Sequence, residues 1–191
     1  MFETPLFSSE TIELTAIDLE KDCVIESRWT HDMKYAGRRW ASGIAKPAAT
    51  FELKKDWEER IKTANEKKLS FNFAIRKRNE PESLLGFLIV HWIEWKNQIA
   101  YFSLLFENDE IEVQSGDEAL YLLKQLAMDE WNIHYLMTVI PSYADTSISV
   151  LMKHGFQQDI IRRQACFYNG KYWDSITLGL INKDGIVGEA V

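Results

Sequence analysis

The chain has 191 residues, 46% of them hydrophobic and 27% charged. That length suits one domain with a full-sized core, and that balance excludes wholesale disorder and fibrous repeats. The 22 basic and 29 acidic side chains leave a formal charge of −7, a field that repels a phosphate backbone and argues against nucleic-acid binding, while an amine-bearing partner suits it.

Two cysteines, Cys23 and Cys166, are too few for a disulfide framework or a four-ligand zinc site and fit buried thiols in a reducing compartment. No metal site is expected. The start, Met1-Phe2-Glu3-Thr4-Pro5, lacks a basic region followed by an apolar stretch and so does not read as a secretory leader. The longest apolar run, Leu84 to Val90, is far short of the roughly 20 residues that cross a bilayer. A cytoplasmic protein with no membrane partner is the expectation.

A short strand is predicted around Ile12 to Leu14. Asp18 is placed to cap a helix that runs through Leu19, Cys23 and Glu26 to about Trp29. Gly37 to Ala49, which holds Gly43 and Pro47, reads as a loop, and a second helix follows from about Phe51 to Asn65 with a mixed-charge solvated face. Ser70 to Arg76 alternates polar and apolar residues as a half-buried strand does, and Asn79 to Ser83 reads as a turn. Leu84 to Trp95 and Ile99 to Phe106, joined by Lys96-Asn97-Gln98, complete an antiparallel meander.

Ser115-Gly116-Asp117-Glu118 then has the Ser-x-x-Glu form of a capping box, which predicts a helix starting there with Ala119, Leu122, Leu123, Leu126, Ala127 and Trp131 as its apolar stripe. Tyr135 to Ile140 is a strand ended by Pro141. A helix from about Asp145 to Lys153 stops at Gly155. Strands over Ile160 to Tyr168 and Tyr172 to Ile181 close on the turn Asn169-Gly170, whose residues favour the positive φ a tight hairpin needs. The order is β, two helices, a three-strand meander, then α-β-α-β-β. It predicts an α/β fold built on one mixed, mostly antiparallel sheet with helices on both faces, residues 1–191 forming a single domain and 182–191 a flexible tail.

Two segments carry a resemblance: Ala144-Asp145-Thr146-Ser147-Ile148 ahead of Gly155-Phe156, and Phe167-Tyr168-Asn169-Gly170-Lys171-Tyr172-Trp173-Asp174. In their spacing they resemble the GNAT superfamily of acetyl-CoA-dependent N-acetyltransferases, and within it the branch that acetylates ribosomal-protein N-termini. The resemblance spans about residues 10 to 181. It implies a V-shaped opening between the meander's last strand, at Leu104, Leu105 and Phe106, and the strand Tyr135 to Ile140, with acetyl-CoA lying there as acyl donor. It also implies that the donor's pyrophosphate sits on backbone N–H groups at a helix N-terminus, here the loop Ile111 to Asp117 feeding the helix at Ser115.

The chain departs from the family's (Arg or Gln)-x-x-Gly-x-(Gly or Ala), which falls on Ile111, Glu112, Val113, Gln114, Ser115 and Gly116. Only Gly116 survives, and a side chain at Gln114 is expected to crowd the phosphates. Glu107, Asp109, Glu110, Glu112, Asp117 and Glu118 surround the same place. A carboxylate about 6 Å from a phosphate costs roughly 2 to 3 kcal/mol before salt screening, and little if it points outward. An ordinary acidic helix cap is the plain alternative for this loop. Ala144 stands where the family commonly has an Asn against the pantetheine arm, and Leu151 where many members, though often not this branch, carry a Tyr that protonates the departing thiolate. Ser147 matches the branch's serine, whose hydroxyl either serves the coenzyme sulfur or bonds its own backbone.

Direct transfer needs a neutral amine, so something must take a proton. Asp159 falls where the branch places a catalytic Glu, and His91 and Tyr143 are the other candidates. His31, His134 and His154 show no ligand spacing. Arg162 and Arg163 alternate across the sheet, so that one of them is placed for the cleft mouth. Trp29, Tyr35 and Trp40, with Arg38 and Arg39, lie where the family builds its acceptor-side wall, and their rings either stack on a substrate or close the core. Transfer to a primary amine, either a protein N-terminus or a small cation, is the first functional expectation. A GNAT-fold interaction or sensing module that does not turn over acetyl-CoA is the second. The oligomeric state stays open, a homodimer included.

Overall fold

The computed structural model describes residues 7–40, 44–67 and 69–182. Gly43, the start at Met1-Phe2-Glu3-Thr4-Pro5 and the proposed tail beyond Asn182 lie outside them. The elements are β1 (Ile12–Thr15), α1 (Asp22–Trp29), α2 (Met33–Arg39), α3 (Thr50–Lys67), β2 (Phe71–Lys77), β3 (Glu80–Glu94), β4 (Ile99–Phe106), α4 (Asp109–Lys124), a π-helical turn (Gln125–Glu130), β5 (Tyr135–Pro141), α5 (Asp145–Lys153), β6 (Gln157–Tyr168) and β7 (Lys171–Ile181). The strands form one sheet in the order β1-β2-β3-β4-β5-β7-β6. Every neighbouring pair is antiparallel except β4 with β5.

Alternation along the strands sorts side chains to two cores. Leu88, Val90, Phe102 and Phe106 meet Leu120, Leu123 and Leu151 from α4 and α5 on one face. Phe87, Ile89 and Leu105 meet Trp29, Leu53 and Trp57 from α1 and α3 on the other. The expected mixed α/β sheet with helices on both faces is the observed one.

Three local readings are corrected. The stretch from Gly37 is not yet loop: α2 runs to Arg39 because Asp32 caps it, its Oδ1 accepting from the N–H groups of Lys34 at 2.6 Å and Tyr35 at 3.0 Å. Asn79 takes positive φ and turns the chain so tightly that β3 begins at Glu80, well ahead of Leu84. The third correction concerns the helix expected at Ser115, which starts six residues earlier. Asn108 caps α4 by accepting from the Ile111 N–H at 3.0 Å, and Asp109, Glu110 and Glu112 in the first turn suit the positive end of its dipole.

Parallel pairing of β4 with β5 covers only Ile99↔Tyr135, Ala100↔Leu136 and Tyr101↔Met137. Beyond Tyr101 and Met137 the two strands part, and the fork between them is the functional candidate.

Candidate active site

Phe102 to Phe106 of β4 form one wall of the fork and Thr138 to Pro141 of β5 the other. Ser147, Val150 and Leu151 of α5 and Glu112, Gly116 and Leu120 of α4 close its back. The cleft encloses about 30 Å³, room for a water or two. Leu104, Leu105, Phe106, Gly116 and Ser147 of the expected donor set therefore share one cleft. Ala144 is buried as the residue before α5 and provides no side-chain cap, so the first amides of α5 are left without one.

Ser147 sits in that first turn. Its side chain is buried at 3% exposure, and its Oγ has no hydrogen-bond partner. A buried hydroxyl left unmatched is costly, and native proteins keep few of them. The reading in which it bonds its own backbone is thereby excluded for this conformation, and a sulfur or oxygen atom placed in the fork would satisfy it.

The other end of the cleft is built differently from the expectation. Because α4 is continuous from Asp109 to Lys124, the segment Ile111 to Asp117 is helix and not loop, and its interior amides answer carbonyls one turn back. Gln114 points to solvent, Ser115 is buried within the helix, and Gly116 lets α4 approach α5, since a Cβ there would lie 3.1 Å from Val150 Cγ1. Three of the six carboxylates that threatened a phosphate are engaged elsewhere. Asp117 pairs with Lys153 and, at 2.9 Å, with His154. Glu118 accepts from the Thr11 N–H at 3.0 Å and from the hydroxyls of Ser9 and Thr11, so the capping-box acid holds β1 rather than its own helix. Asp109 pairs with Lys34. Glu112 alone turns into the cleft. Arg38 reaches it from α2, with Nη1 2.8 Å from Glu112 Oε2 and Nη2 donating to the Leu104 carbonyl at 2.9 Å.

These residues fit a pantetheine thioester at the Ser147 end, where strand edges and an orphaned hydroxyl wait. They do not form a backbone cradle for a diphosphate at Ile111 to Asp117.

The base candidates separate. Asp159 is exposed and bonded to the Tyr135 hydroxyl, at the joined end of β4 and β5, away from the cleft lining; burial, and after it Asp159, pushes that phenol up to about 12. His91 lies on the other side of the fork's wall. A bulge in β3, between Val90↔Phe102 and Trp92↔Tyr101, turns its ring onto Tyr101, with centroids 4.7 Å apart, and sets Nε2 2.9 Å from Ser103 Oγ. Ser103 in turn lines the cleft. Burial, and more weakly Arg60 and Arg39, pull His91 down to about 4. The imidazole is neutral at pH 7.

Tyr143 stands just beyond Pro141, stacked on Tyr168 at 4.2 Å and edge-on to Trp173 at 5.8 Å. Lys171 places its ammonium 3.9 Å from the Trp173 ring centroid. This aromatic group flanks the cleft mouth, and sequence spacing concealed it because α2, β5 and the β6–β7 hairpin meet there. The rings expected to form the acceptor wall do not reach it. Trp29 and Tyr35 pack edge to face at 5.5 Å inside the core, and the Tyr35 hydroxyl donates to buried Glu26. Trp40 packs partly buried against the same core. Arg162 reaches back to Ser175 Oγ at 3.1 Å, and the Arg163 side chain is exposed. Among the described residues no cluster of His, Cys, Asp and Glu is arranged for a metal, and no helix is long and apolar enough to cross a membrane.

A profile described as the acetyltransferase (GNAT) domain matches residues 27–177. Among solved structures, spermidine N-acetyltransferase from Vibrio cholerae in complex with CoA and spermine is similar at a TM-score of 0.73 and 12% identity, covering 92% of this chain and 98% of that one. RimL, a ribosomal L7/L12 alpha-N-protein acetyltransferase in complex with coenzyme A, is similar at 0.70 and 20% identity, covering 91% and 95%. A GNAT-family acetyltransferase from Bacillus anthracis is similar at 0.71 and 12%, covering 92% and 97%. At such identities the likeness establishes the fold. No curated protein matches the chain.

Proposed function

The chain belongs to the acetyltransferase (GNAT) domain family, and on that premise we propose that it moves an acetyl group from acetyl-CoA to a primary amine by direct attack in a ternary complex. Acetyl-CoA, the family's donor, brings the acetyl group as an activated thioester. Leu104 to Phe106, on the strand edge that β5 leaves open, hold the donor's arm through backbone groups. Ser147 donates its hydroxyl to the sulfur as negative charge develops, and the uncapped start of α5 adds the positive end of a helix dipole.

The amine's proton leaves to solvent by way of Ser103 at the cleft wall, and His91 Nε2, 2.9 Å from Ser103 Oγ, orients that hydroxyl, since an imidazole held near 4 keeps no proton at pH 7. Tyr143, Tyr168 and Trp173 face the incoming amine. Lys171 already covers the Trp173 face, so the Tyr143 and Tyr168 rings are the ones that suit a cation, as does the charge of −7. A small cationic amine of the spermidine kind is therefore the acceptor class these groups support, with a protein N-terminus as the other class.

The observation that carries the reading is the unpartnered Ser147 hydroxyl at the fork of the sheet. The test is thiol release from acetyl-CoA in the presence of spermidine, or of a peptide beginning with Ser or Ala, with mass analysis of the amine. Amine-dependent release is expected. Absence of release with every amine, together with no thermal shift at saturating acetyl-CoA, defeats it.

Two observations favour the second reading, a module that holds the fold without turnover: α4 is unbroken through the motif segment, and Arg38 and Glu112 line the cleft as a closed ion pair. Absence of coenzyme A binding by calorimetry is its expected result.

A further inference from the structure

β6 is the last strand of the sheet, and every residue from Gln157 to Ala165 is exposed. Ile160 and Ile161 stand opposite Thr177 and Ile176 of β7, so they point to opposite faces of the sheet. They are 57% and 52% exposed, and neither belongs to the core on its side. Phe167 and Tyr172, farther along the same hairpin, are exposed too. Proteins usually keep such an edge single with charges and bulges. Here both flank the apolar pair rather than interrupt it. The register against β7 slips between Gln158 and Ile160 and again between Arg162 and Cys166, which leaves Ile160-Ile161-Arg162 as regular strand. Asp159 precedes that stretch, and Arg162 and Arg163 end it, so the edge carries opposite signs at its two ends.

We propose that β6 pairs with β6 of a second copy of this chain, antiparallel about a twofold axis at Ile161, so that one sheet runs through a homodimer. Reversing the strand makes the charges complementary: Asp159 and Ile160 of each copy come beside Arg163 and Arg162 of the other. Asp159 already accepts from Tyr135 through Oδ2, and its other oxygen meets the guanidinium. Ile161 packs on its own counterpart, and the stem of the facing Arg162 covers Ile160. The edge N–H and C=O groups of this stretch gain partners across the axis. Net charge selects the same place. The chain carries −7, which repels a second copy, but Gln157 to Ile181 holds Arg162, Arg163 and Lys171 against Asp159 and Asp174, an excess of one positive charge. The surface lies outside the cleft lining, so the proposal stands whether or not the proposed reaction does.

Sedimentation velocity on the full chain, over a concentration series, tests this. The parent is expected to sediment as a species of twice the chain mass. Asp159→Lys, and separately Arg162→Glu with Arg163→Glu, set like charges against each other across the axis, and each is expected to self-associate at least about tenfold more weakly. Mixed in equal amounts, the two variants are complementary at both ends of the edge and are expected to recover a dimer containing one of each. Circular dichroism melts check that each is folded. Ile161→Lys, which leaves Asp159 and both arginines in place, reads the same contact where a charge variant folds poorly, and at least about tenfold weaker association is expected of it as well. A parent that stays monomeric at every concentration overturns the proposal. Variants that associate like the parent place any dimer contact elsewhere and overturn it too. Monomeric variants whose mixture stays monomeric overturn the antiparallel pairing about Ile161.

Discussion

At the bulge in β3, His91 Nε2 lies 2.9 Å from Ser103 Oγ of β4, linking a largely buried imidazole to the wall of the cleft. Burial holds that imidazole near 4 against its ordinary 6.5. Between those values the unfolded chain binds a proton that the folded chain refuses. The stabilisation is therefore complete above pH 6.5 and lost as the pH falls from 6.5 to 4, by about 3 kcal/mol in all. Urea midpoints measured from pH 7.5 to 4 are expected to fall for the parent and to fall less steeply for His91→Gln. In the proposed reaction His91→Gln also slows turnover at pH 7, whereas Asp159→Asn, altered at the joined end of the fork, leaves it unchanged. The opposite pattern would give Asp159 the base role and leave His91 to the fold alone.

Much of this fold is legible in local pattern. Ile99 to Phe106 and Asp145 to Lys153 appear as read, because apolar period and flanking turn residues agree there with what the rest of the molecule requires. Ser115 to Glu118 misleads for a physical reason. The capping-box spacing is real, but Asn108 with three acids behind it is the stronger start, and Glu118 finds its partners at Ser9 and Thr11, more than a hundred residues away. Asp32 ahead of Met33, with Tyr35, Ala36 and Arg39 at helical spacing, was a usable sign of α2. Arg38 with Glu112, and Tyr143 with Tyr168 and Trp173, left no such sign. Each joins elements whose approach is decided by the sheet order.

Ser147 separates a structural role from a chemical one. A buried hydroxyl without a partner adds nothing to stability, so Ser147→Ala is expected to leave the melting temperature level or slightly raised. If the hydroxyl serves the developing thiolate, turnover falls by about 10² while coenzyme A affinity changes little. A variant that melts lower and turns over normally would remove Ser147 from the chemistry.

Glu26 is the polar centre of the α1–α2–α3 layer. Its buried carboxylate accepts from the Tyr35 hydroxyl at 3.0 Å, Arg39 Nε at 2.8 Å and Trp57 Nε1 at 2.6 Å. Replacing it with Ala strands the guanidinium of Arg39, whose side chain is 1% exposed, and leaves two donors unmet. Loss of about 3 to 5 kcal/mol is expected, read as a lower urea midpoint with an unchanged slope. A loss under 1 kcal/mol would show that Asp56, the second partner of Arg39, suffices.

Gly37 is where α2 touches the aromatic group at the cleft mouth. A Cβ built there would stand 2.7 Å from the Tyr143 hydroxyl oxygen, closer than any real contact, and Tyr143 cannot yield freely because it is stacked on Tyr168. Gly37→Ala gains helix propensity of up to about 1 kcal/mol, which offsets part of the strain, so stability is expected to shift by less than about 1 kcal/mol. The displaced ring changes the acceptor side alone. The acceptor KM should rise several-fold while coenzyme A affinity holds, because Arg38 points from the same helix into the cleft and is left undisturbed. Equal losses in acceptor and donor affinity would mean that the whole of α2 had moved, and that Tyr143 is packing rather than part of the acceptor site.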